Sequence, residues 1–161
     1  HRDEDSWKTP RQVVAMLVEV VSKGGNVLLN VGPTGRGTFD DRAMDRLGSM
    51  GEWMDVHGRS IYGCPQAPEE FQVPQNCFLT YNPELNRLYI HVMEWPFRAL
   101  HLPGYAGKVK YAQLLNDASE IKFVDRVGHW LREEKGEDTI TLQLPVKQPD
   151  VVVPVIELFL K

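Results

Sequence analysis

Hydrophobic side chains recur at helical spacing over residues 13–21, where six apolar positions form one broad face. This pattern predicts an amphipathic helix that packing holds in place. Thr9 can cap its first turn, Pro10 suits the first helical position, and Gln12 completes a capping box. Gly24 is a natural C-terminal cap, so the first helix is expected to end there.

A second helical pattern begins where Asp40 or Asp41 can cap it and ends near His57 and Gly58. One stripe of this pattern is apolar and is interpreted as core rather than as a cofactor site; it comprises Met44, Leu47, Met50 and Met54, with Trp53 beside it.

A short apolar run at residues 27–31 separates the two helical patterns. It does not alternate apolar and polar positions, which favours a strand buried on both faces. The loop that follows, residues 32–38, is rich in Gly and Pro and leads into the second helix. Because α/β folds place their ligands on such strand-to-helix loops, this stretch is predicted to border a site.

From about residue 61 the pattern changes to short strands with period 2. Residues 78–81 and 88–93, joined by a turn-rich spacer, are typical of a hairpin. Further strands are predicted at 98–102, 108–115, 120–124, 139–144 and 155–160. In the segment 139–144, the apolar positions are expected to face one way, and Thr139, Thr141 and Gln143 the other. Short antiparallel strands with frequent turns favour a β-sandwich.

The predicted fold class is therefore α/β plus all-β. Residues 1–62 are interpreted as the last helix–strand–helix elements of a (β/α) barrel, and residues 63–161 as an antiparallel β-sandwich. One parallel-type strand cannot close a sheet, and a barrel takes roughly 250 residues. The remaining barrel strands are expected upstream, and the lack of an initial Met agrees with a start inside a longer protein.

Composition and charge narrow the function classes. The 161 residues are 42% hydrophobic and 25% charged, and the net charge of -4 provides no basic surface for nucleic acid. No apolar run has the length of a membrane span, so no membrane partner is predicted. Cys64 and Cys77 are interpreted as two separate thiols, although they could pair. No Cys and His spacing is typical of zinc, and neither a metal nor a cofactor is predicted.

The loop at residues 32–38 joins a strand to a helix as a phosphate-binding loop does, but its residues argue against that function. It reads G-P-T-G-R-G-T and lacks the lysine of a P-loop, and Pro33 removes a backbone donor. A structural turn beside a polar ligand site is the preferred interpretation.

Three acidic residues, Asp3, Glu4 and Asp5, precede the first helix and would lie on the catalytic face of a barrel. Glycoside hydrolysis uses two carboxylates, of which one protonates the leaving oxygen. From charge alone, a solvated acidic loop is the favoured interpretation of the three.

His57 and His91 are interpreted as surface or hydrogen-bonded histidines rather than catalysts. The segment 95–97 and Trp130 could stack on sugar rings, but aromatic side chains in a sandwich more often pack at its core or rim.

Two stretches closely resemble glycoside hydrolase family 29, the α-L-fucosidases: VEVVSKGGNVLLNVGPTGRGT at 18–38 and RLGSMGEWMDVHGRSIYG at 46–63. RLYIHVMEWP at 87–96 and KVKYAQLLNDASEI at 108–121 are similar to the family's C-terminal β-sandwich. The resemblance implies a retaining exo-glycosidase that removes α-L-fucose from fucosylated glycans, with an aspartate nucleophile upstream of this chain and a glutamate acid/base.

The resemblance also implies two site residues. His1 to Glu4 match the tail of a G-Y-N-x-x-E segment, which makes Glu4 the candidate acid/base, with Asp3 and Asp5 still open. Val27 follows the G-G-N motif at a position that is often aromatic in the family and helps to wall the pocket for the sugar's methyl group.

Two functions follow from these observations. The first is the C-terminal part of an α-L-fucosidase, inactive without the upstream remainder of the barrel; the family's substrates suggest a secreted or periplasmic location. The second is a β-sandwich that binds carbohydrate or is purely structural. A purely structural sandwich is preferred over a sugar-binding one.

Overall fold

The computed structural model describes residues 6–124 and 138–161. The candidate Glu4, its neighbours Asp3 and Asp5, and Trp130 lie outside these residues. The described chain has two helices, α1 and α2, a short 3₁₀ turn at Gly58–Ser60 and seven strands. Their bounds are α1 Pro10–Ser22, α2 Asp41–His57, β1 Cys77–Asn82, β2 Arg87–Val92, β3 Ala99–Leu102, β4 Val109–Leu114, β5 Phe123–Val124, β6 Ile140–Gln143 and β7 Val155–Leu160.

Helix α1 begins and ends as predicted. The Gln12 backbone N–H donates to the Thr9 hydroxyl, and the Thr9 N–H donates to the Gln12 side chain, which completes the capping box. Gly24 has a φ of +76°, and Gly25 lies so close to Val20 that a Cβ there would stand 2.8 Å from a Val20 methyl carbon. Both glycines are therefore needed to turn the chain out of the helix.

Helix α2 is capped by Asp40, as predicted, but its apolar stripe is only partly core. Trp53 is buried, and Met50 and Met54 pack beside it, whereas Met44 is 52% exposed. The prediction that Met44 is core is wrong for the described residues. Helical spacing shows which side chains share a face, but it does not show how far along the helix that face is covered.

Residues 27–31 do not form the predicted buried strand. The segment has neither helix nor strand, and the Leu28 side chain is 89% exposed. A strand buried on both faces needs paired neighbours and a packed layer on each side. The described residues supply no neighbouring strand to residues 27–31, so the apolar run is left unpaired.

The strands pair antiparallel into two sheets, one in the order β1-β2-β7-β4 and one in the order β3-β6-β5. The predicted hairpin is confirmed as β1 and β2, with Cys77 opposite Val92. Strand β5 is shorter than predicted because only Phe123 and Val124 pair with β6. Thr139 is buried rather than turned outward, because it precedes β6 and does not belong to the alternation of that strand.

Each face of the four-stranded sheet contributes to a different hydrophobic cluster. One face shares a core with the second sheet; its members include Leu79, Leu88, Ile90, Ile156 and Leu158 from one sheet and Leu100, Leu102, Ile140 and Leu142 from the other. The opposite face is covered by the helices, and this second cluster contains Val14, Leu17, Val18, Trp53, Cys64, Tyr89, Leu115, Val153 and Val155. The division at residues 62 and 63 remains a prediction, and the second cluster extends across it.

A layer of buried polar groups joins the helices to the sheet. The Trp53 indole N–H donates to the Val153 carbonyl across 2.8 Å, and the Ser60 hydroxyl donates to the His57 carbonyl across 2.7 Å. The Thr80 hydroxyl on β1 donates to the Ser60 carbonyl across 2.6 Å. Because a buried polar group without a partner is costly, these bonds fix how the helices lie on the sheet.

A buried carboxylate extends this layer. Glu157, on β7, is 3% exposed, and its carboxylate accepts from Arg59 at 2.8 Å and from the Gln113 amide at 2.6 Å. Removing Arg59 would leave a buried charge with less compensation, so the 3₁₀ turn and the sheet are also linked electrostatically.

The two histidines of this layer are buried and hydrogen-bonded, which selects the second of the two interpretations, surface or hydrogen-bonded, that the sequence left open. Thr80 uses its proton on Ser60, so His91 Nε2 must donate to the Thr80 oxygen at 3.0 Å. His57 Nδ1 donates to the Trp53 carbonyl at 3.1 Å. The remaining ring nitrogens, His57 Nε2 and His91 Nδ1, have no partner among the described residues. Both rings are therefore held neutral, each as one tautomer.

Burial is the main reason that both imidazoles resist protonation. It lowers the pKa of His57, which the nearby Arg59 charge lowers further and the bond to Trp53 raises. Burial, with a smaller effect of His57, lowers the pKa of His91 to about 3. Since the unfolded chain takes up a proton near pH 6.5, the fold is stabilised above that pH and loses stability as the pH falls toward 3.

The thiols are also separate and buried. Cys64 and Cys77 are both unpaired in the described structure, as predicted. Burial raises the pKa of Cys64 to about 11 and that of Cys77 to about 12. Neither thiol has the lowered pKa of a reactive cysteine.

The described part of the chain contains no helix that combines the length and the apolar character needed to cross a membrane.

We predict that His91 makes the fold acid-sensitive. With a folded pKa of about 3, the free energy of unfolding should fall by about 2 kcal/mol between pH 7 and pH 5 from this residue alone. His91→Gln keeps a donor for Thr80 but cannot titrate, so it should remove that part of the pH dependence. Urea unfolding at several pH values measures the difference.

The matched control is Ile90→Val. Ile90 precedes His91 on β2 and is fully buried, so this change should lower the free energy of unfolding by about 0.5–1.5 kcal/mol at every pH and leave its slope between pH 5 and 7 close to that of the parent chain. A His91→Gln variant with the full parental slope would contradict the account.

Candidate active-site segment

The segment between the candidate Glu4 and helix α1 is held against helix α2. The Trp7 ring lies under the Arg42 guanidinium at 4.7 Å and within 5.9 Å of that of Arg46. Arg46 also donates to the Lys8 carbonyl at 3.2 Å. Two cations on one indole, with a bond to the neighbouring backbone, position the chain just after the acidic residues.

The N-terminal cap of α2 orients one of these cations. Asp40 caps the helix through the Arg42 N–H and also binds the Arg42 side chain, with distances of 2.9 Å and 3.0 Å to its two carboxylate oxygens. The hydrogen bond from the Arg42 side chain is the largest of the effects that lower the pKa of Asp40 to about 2. Asp40 is therefore ionised at ordinary pH and keeps the guanidinium in one plane.

The Gly-rich loop closes on itself. The Thr34 N–H donates to the Thr38 carbonyl at 2.7 Å, the Gly37 N–H to the Thr34 carbonyl at 2.9 Å, and the Arg36 N–H to the Thr34 hydroxyl at 3.3 Å. Gly37 has a φ of +79°, which this turn requires. A phosphate cradle needs converging free N–H groups, and this loop uses three of its N–H groups internally.

Val27 lies at the boundary between core and surface. Its side chain is half-buried and packs on the cluster between the helices and the sheet, while the next residue, Leu28, points away. Val27 thus borders the exposed apolar stretch that follows it. No described contact joins Val27 to Trp95, which packs on the other cluster, between the two sheets.

Trp7 is the residue of this segment that the sequence analysis missed. Its signal was a single aromatic side chain in a polar stretch immediately before a helix cap. Pattern methods give little weight to one isolated aromatic residue, and its cationic partners lie on the next helix.

Within residues 6–124 and 138–161, no three side chains of the His, Cys, Asp or Glu types gather as a metal site would require. The chemistry available to the described segment is that of its arginines, its carboxylates and its aromatic ring.

Sequence comparison relates this chain to a known family. The family model described as Alpha-L-fucosidase matches residues 1–59, a range that includes Glu4, Trp7 and Val27. The human plasma alpha-L-fucosidase is 36% identical over 145 residues, which cover 88% of this chain and 31% of that protein. An alpha-L-fucosidase from Dictyostelium discoideum is 30% identical over 155 residues, covering 95% of this chain and 32% of that protein.

Solved structures give the same relationship. Alpha-L-fucosidase isoenzyme 1 from Paenibacillus thiaminolyticus superposes with a TM-score of 0.86 at 37% identity, over 100% of this chain and 37% of that one. A family 29 alpha-L-fucosidase from Bacteroides thetaiotaomicron, trapped as a covalent intermediate, gives a TM-score of 0.83 at 26% identity, over 100% of this chain and 35% of that one.

These relatives are all α-L-fucosidases, which are glycoside hydrolases. The chain belongs to the α-L-fucosidase family, glycoside hydrolase family 29. It spans about a third of the length of the curated relatives that it matches, with 31% and 32% of the two described above.

We predict that Trp7 and Arg42 stabilise each other. In a double-mutant cycle with Trp7→Leu and Arg42→Met, the coupling free energy should be about 0.5–1 kcal/mol, because the two groups form a cation–π contact at the surface. Urea denaturation of the parent, the single variants and the double variant measures it.

The control cycle pairs Trp7→Leu with Lys23→Met, because Lys23 lies just after the opposite end of α1. These two changes should be additive. Equal coupling in both cycles would contradict a specific stack between Trp7 and Arg42.

Proposed function

We propose that this chain is part of a retaining exo-glycosidase that hydrolyses α-L-fucosyl linkages in fucosylated glycans. The observation that carries the proposal is the superposition of the whole chain on a fucosidase at 37% identity and a TM-score of 0.86. The covalent intermediate trapped in the Bacteroides relative supports a double-displacement mechanism.

In this proposal residues 1–62 are the last elements of a (β/α) barrel, in which residues 27–31 become a strand only when they pair with strands from the rest of the barrel, and residues 63–161 are a β-sandwich. The shared core of the two antiparallel sheets supports the sandwich. The upstream remainder of the barrel is the partner that covers the apolar side chains left exposed around the Gly-rich loop. The exposed fractions are 89% for Leu28, 47% for Phe39 and 52% for Met44, which lies in the first turn of α2.

Glu4 is the proposed acid/base. It protonates the glycosidic oxygen while a carboxylate from the remaining part of the barrel attacks the anomeric carbon and forms a glycosyl-enzyme. The Glu4 carboxylate then removes a proton from water, whose oxygen bonds to the same carbon while the bond from that carbon to the nucleophilic carboxylate breaks; fucose and the free carboxylate result. The clamp of Trp7 by Arg42 and Arg46 lies three residues from Glu4 and limits the movement of the segment.

Val27 is the proposed apolar wall for the methyl group of the sugar. Val27 is smaller than the aromatic side chain that is frequent at this position, so it leaves more space for the methyl group. The mechanism uses two carboxylates and needs no metal or cofactor. A secreted or periplasmic location fits glycan substrates and is proposed on that ground.

We predict that Glu4→Gln slows hydrolysis in a way that depends on the leaving group. The assay uses the fucosidase in which this chain is joined to the rest of the barrel. An aryl α-L-fucoside with a poor leaving group needs protonation and should lose about 10²–10⁴-fold in rate, whereas a dinitrophenyl fucoside should lose far less. Azide should restore the second, deglycosylation step.

Asp3→Asn and Asp5→Asn are the matched controls, and both should keep the parental dependence on the leaving group. The 161-residue chain alone should show no turnover, because the second carboxylate is proposed to lie in the rest of the barrel. Near-parental rates for Glu4→Gln with every substrate would remove Glu4 from the site, and turnover by the isolated chain above a Glu4→Gln background would contradict the division of the site.

We predict that Leu28→Glu changes the free energy of unfolding differently in the isolated chain and in the longer enzyme. Leu28→Glu should change the free energy of unfolding of the 161-residue chain by less than about 0.5 kcal/mol, because the side chain is 89% exposed. In the longer enzyme it should cost about 2–4 kcal/mol, because a charge would be buried against the barrel.

Leu85→Glu, in the turn between β1 and β2, is the matched control; Leu85 is exposed and should tolerate the change in both proteins. Equal effects of Leu28→Glu in both proteins, measured by urea denaturation, would show that the barrel does not cover this residue.

A further inference from the structure

A cleft of about 440 Å³ lies between the segment before β1 and the segment that joins β2 to β3. It is remote in the chain from Glu4 and Val27. Its lining combines an aromatic ring with amide, carboxylate and imidazole groups, from Gln75, Asn76, Glu94, Trp95 and His101. This size and this mixture of apolar surface with a few polar groups are typical of small-molecule sites.

Trp95 gives the cleft a fixed aromatic wall. Its indole N–H donates to the Pro145 carbonyl at 2.9 Å, and its ring is half-buried against the core between the sheets. Packing therefore accounts for part of the ring, as the sequence analysis preferred. The rest of the ring faces the cleft in an orientation that the hydrogen bond has already fixed, so a ligand would not have to order it.

The polar rim is also ordered. The Asn76 amide donates to the Glu94 carboxylate at 2.5 Å, and the Asn76 carbonyl accepts from the Met93 N–H at 2.9 Å. Asn76 has a φ of 55°, a conformation that asparagine tolerates better than most residues. On the opposite side, His101 is oriented by a 2.9 Å bond between its Nδ1 and the Thr141 hydroxyl.

The charge of the lining restricts the ligand. Among the described residues that line the cleft there is one carboxylate, on Glu94, and neither Lys nor Arg. An anionic ligand would meet a negative charge with no compensating cation. Amide groups, which donate and accept, beside a carboxylate, which accepts, suit adjacent hydroxyl groups. The electron-rich indole face suits the C–H face of a pyranose ring.

We propose that this cleft is a second sugar-binding site, which takes a neutral pyranose of a glycan and is separate from the catalytic carboxylates. Trp95 is the stacking platform, and Gln75, Asn76 and Glu94 bind the hydroxyl groups. The site does not require that the chain hydrolyse fucosides, and a glycan held here would stay close to the protein between encounters with a catalytic site.

The test is a titration of the 161-residue chain with L-fucose, D-galactose and N-acetyl-D-glucosamine, followed by backbone amide NMR. At least one sugar should bind with a Kd on the order of 1–10 mM, as expected for one small ring in an open cleft. Shifts should centre on the amides of residues 75, 76 and 94–101. N-acetylneuraminic acid, an anion, should bind at least about tenfold more weakly.

Variants assign the site. Trp95→Ala should weaken binding at least about tenfold, and Gln75→Ala, at an exposed position with little effect on folding, about threefold. Phe97→Ala is the matched aromatic control; Phe97 is 75% exposed next to the cleft but does not line it, and its loss should leave the Kd unchanged. No binding by 50 mM (roughly five times the weakest expected Kd), or a Kd unchanged in Gln75→Ala and Trp95→Ala, would overturn the proposal.

The same variants separate this inference from the proposed hydrolysis. In the longer enzyme Trp95→Ala should leave kcat/KM for a small aryl fucoside unchanged and lower it for a branched fucosylated glycan. Sugar binding at the cleft by a protein that hydrolyses no fucoside would refute the proposed function and leave this inference standing. Hydrolysis of fucosides by a protein whose cleft binds no sugar would refute this inference and leave the proposed function standing.

Discussion

The hydrogen bond between the Trp53 indole and the Val153 carbonyl marks the constraint on which the rest of the structure depends. The four-stranded sheet has a core on one face, and its other face carries apolar side chains such as Tyr89 and Val155 that must also be covered. Two helices cover it, and they do so over buried polar groups rather than over a purely apolar surface. Each of these groups must find a partner in one particular arrangement, which fixes the position of the helices more strictly than apolar contact alone would.

That constraint gives the candidate site its frame. The segment that carries Glu4 leads into α1, and the Gly-rich loop joins α1 to α2. Trp7 connects the start of this arrangement to α2 through Arg42 and Arg46. The sheet therefore positions both loops through the helices, although it contributes no group to the proposed chemistry.

The local parts of this structure could be predicted from the sequence, because local patterns determine them. The capping box at Thr9, the end of α1 at Gly24 and the hairpin of β1 and β2 each depend on neighbouring residues, and each is confirmed. The wrong predictions concern which other part of the chain packs against or pairs with a residue. The pattern of residues 27–31 contained no information on whether a neighbouring strand was present.

The polar layer could not be predicted for a similar reason. His57 and His91 belong to elements far apart in the sequence, and neither has a local signal of burial. The candidate site was accessible mainly through family motifs, which brought Glu4 and Val27 forward. Trp7 and the cleft at Trp95 required a structure, because their partners come from other elements. The stack on Trp7 joins the segment before α1 to α2, and the cleft joins two loops.

Native-state hydrogen exchange tests most directly whether helices and sheet form one cooperative unit. The account predicts that the core amides of α1, α2, β2 and β7 exchange with the same free energy and the same dependence on denaturant, and that Trp53→Phe lowers all of them together. If the helical amides instead exchanged through a low-energy opening while β2 and β7 stayed protected, the polar layer would not be the joint on which the candidate site depends.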